Sequence, residues 1–222
     1  MTSSGSYSYR TTMIAVVLFA VAMGYFEASI VVYLRELYYP GGFPFPLALA
    51  PKRMIVIELF REASTIVMLI TVAALAGKKF CERFGYFIII FGVWDIFYYI
   101  WLKVTINWPL TLFDWDILFL IPLPWLGPVI APSLVALLMI VIGVSITRLF
   151  YRGFDFRPTK LTWVLAILAT LVMLYSFIRD INAGLHQAMP EPYRYWMLFA
   201  GLLMYVTAYI ISFKALYKNK TD

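Results

Sequence analysis

Residues 12–34, 54–76, 84–102, 129–150, 161–178 and 195–216 form six long runs of mostly apolar side chains. A bilayer core about 30 Å thick is crossed by roughly 20 helical residues, because a backbone in lipid must satisfy its own N–H and C=O groups. These runs therefore predict transmembrane helices. No repeat of 20–50 residues and no separate soluble domain interrupts them, so the expectation is one all-α domain over residues 1–222, a polytopic membrane bundle of about six helices. The composition agrees: 63% of residues are apolar, 14% are charged and the mean hydropathy is +0.85, far from the balance of a water-soluble domain. A soluble enzyme and a disordered regulator are excluded.

The first run could be confused with a signal peptide, since Arg10 precedes it and Ala20-Val21-Ala22 resembles a cleavage triplet. It continues to Leu34, however, and is read as an uncleaved first helix. Orientation follows from the loop cations. Arg10, Lys78, Lys79, Arg83, Arg148, Arg152, Arg157, Lys160, Lys214, Lys218 and Lys220 fall on one side, whereas Arg35, Lys52, Arg53, Lys103, Arg179 and Arg194 fall on the other. The richer side is expected to be cytoplasmic and to hold both the N and C termini, in a plasma (inner) membrane. Trp101, Trp108, Trp115, Trp125 and Trp196 then form an outer aromatic belt. The formal charge of +6 points to anionic lipids at the cytoplasmic face rather than to nucleic acid.

The connection over residues 104–127 is apolar but broken by Pro109, Pro122 and Pro124, so it cannot be one straight helix. It is read as an interfacial or re-entrant segment with a short helix between Asp116 and Ile121. Asp114 and Asp116, beside Trp115, are read as its wet edge. The Gly/Pro-rich stretch over residues 40–46 is a turn-forming connector.

Candidate chemistry lies inside the spans. Glu27, Glu58, Glu62 and Asp95 accompany a single intramembrane base, Arg61. Ionisable groups in hydrocarbon cost several kcal/mol each, so such residues face the bundle interior, pair, or line a cavity. Glu58, Arg61 and Glu62 occupy one helical face. Ala20, Gly24 and Ala28 form a small-residue stripe flanked by Glu27, and Gly92, Asp95 and Tyr99 share a face of the third run. The expected site is Glu27, Glu58, Arg61, Glu62, Asp95 and Tyr99 in the outer half of the bilayer, with Tyr98, Tyr25 and Ser29 as hydroxyl donors.

One arginine cannot neutralise four carboxylates, so the excess must hold protons, a cation or a basic partner. An all-oxygen set of Glu27, Glu58, Glu62 and Asp95 suits Na⁺, Ca²⁺, Mg²⁺ or Mn²⁺. Haem and zinc are not expected: Cys81 is the one cysteine and His186, in a polar loop, the one histidine. No other cofactor is evident. The leading functional expectation is a proton- or cation-coupled carrier or small-solute binding protein. The alternative is an accessory or assembly subunit of a larger membrane complex, such as a respiratory one, docking partner subunits through the same residues. A membrane enzyme ranks third, because no nucleophile stands beside a base.

Overall fold

The computed structural model describes residues 8–39, 51–121, 123–181, 188 and 190–221. The connector at residues 40–46 and His186 lie outside the described residues. The elements in chain order are α1 (Tyr9–Tyr38), α2 (Lys52–Ala76), α3 (Phe80–Ile106), β1 (Trp115–Phe119), β2 (Trp125–Pro128), α4 (Ile130–Tyr151), α5 (Lys160–Ile178) and α6 (Tyr195–Thr221). Every apolar run coincides with one of these helices. Five of them, α1, α3, α4, α5 and α6, are long and apolar enough to cross a membrane, as expected of an integral membrane protein. Helix α2 stands apart because its first three turns carry Lys52, Arg53, Glu58, Arg61 and Glu62.

Helix ends are set by local chemistry. The Glu82 carboxylate accepts the backbone N–H of Lys78 at 2.7 Å and of Lys79 at 3.4 Å, turning the chain sharply from α2 into α3. Thr159 caps α5 by accepting the Thr162 N–H at 3.2 Å, the usual N-cap arrangement. Helix α3 stops at Asn107, which takes the left-handed conformation at φ 54°.

Helix α3 is the hub, packing against α1, α2 and α4. It can be a hub because small residues let backbones approach it. A Cβ placed on Gly92 would lie 2.5 Å from the Ala136 carbonyl oxygen of α4, and one on Gly143 would lie 2.7 Å from the Gly85 oxygen. On the other side the Ala20, Gly24 and Ala28 stripe of α1 is buried, with Gly24 against Phe97 and Trp94. Val16, Met23, Leu69, Ala73, Ile89 and Ile90 fill the space among α1, α2 and α3.

Helices α5 and α6 form an antiparallel pair that joins the other four at two levels. One is an aromatic cluster in which Phe177, Tyr193 and Leu198 meet Trp115 and Trp125. The other joins Ile146, Leu149 and Phe156 to Phe213 and Leu216. Since Tyr9 stacks on Tyr151 at 4.9 Å, α1 begins and α6 finishes at the same end of the bundle, hereafter the terminal end. The β-strands lie at the opposite, hairpin end.

These strands correct the expectation of a short helix between Asp116 and Ile121. Trp115–Phe119 pairs antiparallel with Trp125–Pro128, Trp115 opposite Pro128 and Ile117 opposite Leu126. A six-residue run ahead of a proline is too short to nucleate a helix. Pairing two short strands instead satisfies the backbone of a segment with few water partners. The base is closed by the Val129 N–H on the Asp114 carbonyl at 3.0 Å and the Ile130 N–H on the Leu112 carbonyl at 2.8 Å. A lone hairpin is marginal; this one is anchored by buried Leu126 and by Trp125 stacked on Phe177 at 6.0 Å.

If the α3–α4 approach holds the bundle together, Gly92→Leu must push Ala136 away. It is expected to destabilise the protein by about 3 kcal/mol or more, read as a lowered melting temperature in detergent. Leu137→Ala, on an exposed face of α4, should melt close to wild type.

Candidate functional site

The polar residues of the hairpin end are positioned by α1, α2, α3 and β1. On α2, Glu58 and Arg61 are one turn apart, and Arg61 Nε donates to Glu58 Oε2 at 2.6 Å. The same guanidinium reaches across to α1, where Nη1 donates to Glu27 Oε1. Glu27 is buried, and Arg61 and Glu58 are largely so. The result is one arginine clamped between carboxylates on two helices. The Thr65 hydroxyl, 1% exposed, donates its only proton to the Arg61 carbonyl at 3.2 Å. The same hydroxyl lies beside the Glu27 carboxylate, whose Oε2 has no hydrogen-bond partner of ordinary geometry among the described residues.

Glu62, one turn beyond Glu58, faces the hairpin. Its oxygens accept the Leu120 N–H at 2.9 and 3.1 Å, just past β1, so a carboxylate of α2 supplies the acceptor that this unpaired amide needs. Asp95 and Tyr99, on α3, lie instead beside Asp116 of β1. Asp116 is 2% exposed and accepts from Arg35 Nη2 at 3.4 Å, with the Tyr98 and Tyr99 hydroxyls adjacent. Arg35 also stacks on Trp108, its Cζ 3.8 Å from the ring centroid, a favourable cation–π placement. Asp95 Oδ2 is buried with no hydrogen-bond partner among the described residues.

The six expected residues therefore divide between two adjacent nests rather than meeting in one cavity. Glu27, Glu58 and Arg61 form the first; Asp95 and Tyr99 belong to the second, with Arg35 and Asp116; Glu62 ties α2 to the hairpin. Tyr98 is within electrostatic reach of both nests. Of the other hydroxyls, Ser29 donates to the Phe26 carbonyl of its own helix and Tyr25 is exposed, edge-on to Trp101.

Together, Glu27, Glu58, Glu62, Asp95 and Asp116 face two guanidiniums. Among the described residues no three His, Cys, Asp or Glu gather closely enough to cage a metal ion, and in the first nest the Arg61 guanidinium occupies the space between the carboxylates. Burial pushes Asp116 up to about 6, against the opposing pull of Arg35.

Two residues of the second nest were hidden in the sequence. Arg35 reads as a loop base, although it falls two helical turns past Ala28 and so on the buried stripe of α1. Asp116 reads as the wet partner of Asp114, yet only Asp114 is solvated, bonded to Thr111 Oγ1 at 2.7 Å and the Leu110 N–H at 2.7 Å in a turn. The available signal was the β-rich Trp115–Phe119 stretch beside a proline turn. Comparison of the chain with known protein families, curated proteins and solved structures gives no match.

Removing the shared cation should cost more than removing any one acid. Arg61→Ala leaves two buried carboxylates facing each other and is expected to destabilise by about 3 to 5 kcal/mol. Glu58→Gln and Asp95→Asn, which keep shape and reduce repulsion, should lower the melting temperature markedly less.

Asp116 makes a signed prediction. Its folded value of about 6 lies above the ordinary 3.8, so its stabilising contribution is complete below about pH 3.8 and is lost as pH rises through about 6. Relative to Asp116→Asn, wild-type stability should therefore fall between these two values, which denaturation at a series of pH values reads directly.

Proposed function

We propose that this protein is a proton-coupled carrier for a small solute, with six transmembrane helices, cytoplasmic termini and a plasma-membrane location, in which the Glu27–Arg61–Glu58 clamp is the proton-responsive element. The supporting observation is the seam between α1 and α2. Both helices pack mainly on α3 and only lightly on each other, and at the hairpin end Glu27 and Arg61 join them through charge. At the terminal end the same two helices flank a cavity of about 820 Å³, lined among others by Tyr9, Thr12, Val16, Val72, Lys78 and Tyr86. The seam is open at one end and closed by an ion pair at the other, with Ala20, Met23, Leu69 and Ala73 buried between them.

The chemistry of coupling follows from the clamp. A proton on Glu27 cancels its attraction for Arg61, and Glu58 then holds the arginine alone, so α1 and α2 are free to part at the hairpin end. Glu62 and the Arg35–Asp116 pair transmit that movement to the hairpin, since both tie it to these helices. A proton suits this arrangement better than a metal, because the guanidinium already takes the place a cation would fill. The lysine-rich inner side supports cytoplasmic termini, and six crossings require α2 to span despite its charged first turns.

The test is thermal melting of the detergent-purified chain between about pH 5 and pH 9, with Na⁺, Ca²⁺, Mg²⁺ or Mn²⁺ and a panel of small solutes. Wild-type stability is expected to respond to pH, Glu27→Gln to respond less, and one solute class to stabilise wild type in a pH-dependent way. If wild type, Glu27→Gln, Glu58→Gln, Arg61→Ala and Asp95→Asn melt alike, or if the chain purifies only with other subunits, the carrier reading fails.

A further inference from the structure

A second cavity lies far from the clamp. It is a crevice of about 290 Å³ in the terminal half of the bundle, between α3 and α4 on one side and α5 and α6 on the other. Phe84, Phe87, Leu138, Met139, Trp163 and Ala166 are among its walls. It lies where α5 and α6 stand off from α3 and α4, bordered by Tyr205 of one contact cluster and Tyr209 of the other.

The few hydroxyls around the crevice are already engaged. Tyr209 bonds Ser145, Tyr205 bonds Thr170 at 2.7 Å, and Thr162 bonds Ser212 at 2.6 Å. Beyond these, among the described residues, the walls add only the weakly polar Cys81 thiol, and a cavity with so little polar lining takes up hydrocarbon rather than water. Along α3 the crevice runs from Phe80 to Ile88, roughly 12 Å at the helical rise, close to the roughly 15 Å of hydrocarbon in one leaflet. Phe80, Phe84 and Trp163 are exposed at its walls, so it opens laterally to lipid.

Its rim is basic. Phe156 and Pro158 line the terminal-end edge, with Arg157 between them and Lys160 two residues on. Lys79 and Arg157 share the single carboxylate of Asp155, at 2.8 and 2.7 Å, which leaves one positive charge unmatched, and exposed Lys160 adds another. Hydrocarbon walls one leaflet deep beneath a cationic rim match the two ends of one molecule.

We propose that this crevice is a binding site for an anionic phospholipid of the leaflet at the terminal end, with one acyl chain between α3–α4 and α5–α6 and the headgroup phosphate at Arg157 and Lys160. The chain fills space the side chains leave empty and braces the α5–α6 pair. The headgroup selects charge: each basic residue near it is worth about fivefold in affinity. This site does not depend on the carrier reading, and its test does not touch the clamp.

Native mass spectrometry of the full chain, titrated with dioleoyl phosphatidylglycerol or dioleoyl phosphatidylcholine, decides the matter. Wild type is expected to retain the anionic lipid on the order of 30-fold more tightly, from two basic residues. Arg157→Ala with Lys160→Ala, both surface changes, should reduce that preference to near parity. Ala166→Phe, which fills the crevice, should weaken both lipids. A separate readout guards against misfolding of the filled variant: phosphatidylglycerol brominated along its chain should quench wild-type tryptophan fluorescence more than that of Trp163→Phe. Equal retention of the two lipids by wild type, undiminished binding to a folded Ala166→Phe, or equal quenching of wild type and Trp163→Phe would each overturn the proposal.

Discussion

Close backbone approach at α3 is the constraint from which the rest of this structure follows. In lipid, apolar side chains gain little by leaving one hydrocarbon environment for another, so helices associate where shape allows dense contact. Gly85 and Gly92 on α3, with Gly143 on α4 and Gly24 on α1, provide that shape. Once α3 is gripped from both sides, α1 and α2 are held near one another without needing a tight interface of their own. The seam between them, the cavity at its terminal end and the ion pair at its hairpin end are consequences of that indirect attachment.

Polar groups at the hairpin end obey a second constraint, that a buried charge must find a partner. Arg61 serves Glu27 and Glu58, while Arg35 serves Asp116 and lies on the Trp108 ring. The hairpin is drawn into the same economy, because Glu62 accepts its Leu120 amide. An irregular connection thereby becomes a structural member that links α1 and α2 to the chain between α3 and α4. The carboxylates outnumber the guanidiniums, and Glu27 Oε2 and Asp95 Oδ2 are buried with no hydrogen-bond partner among the described residues.

The two halves of the bundle differ in how they are joined. Helices α1, α3 and α4 interlock through small residues and α2 packs on the same hub, whereas α5 and α6 contact each other closely and lean on the rest through two aromatic and aliphatic clusters. Where the lean leaves a gap, every nearby hydroxyl is already engaged. The polar seam and the dry crevice are thus separate products of one packing scheme.

The helices are legible in the chain's composition and spacing, because the need for internally bonded, apolar segments of a fixed length is a local property. The sequence also identified Glu27, Glu58, Arg61, Glu62, Asp95 and Tyr99 as unusual, and the Ala20, Gly24 and Ala28 stripe as an interface, since both follow from residue type and helical period. Which acid meets which base was decided only by tertiary structure. Arg35 and Asp116 are 81 residues apart, and no periodicity connects a base near the end of one helix to an acid in a distant strand. The same holds for the hairpin: six residues before a proline carry too weak a local preference to choose between helix and strand, and the choice fell to the partner strand, the Glu62 acceptor and the aromatic floor that only the assembled bundle provides.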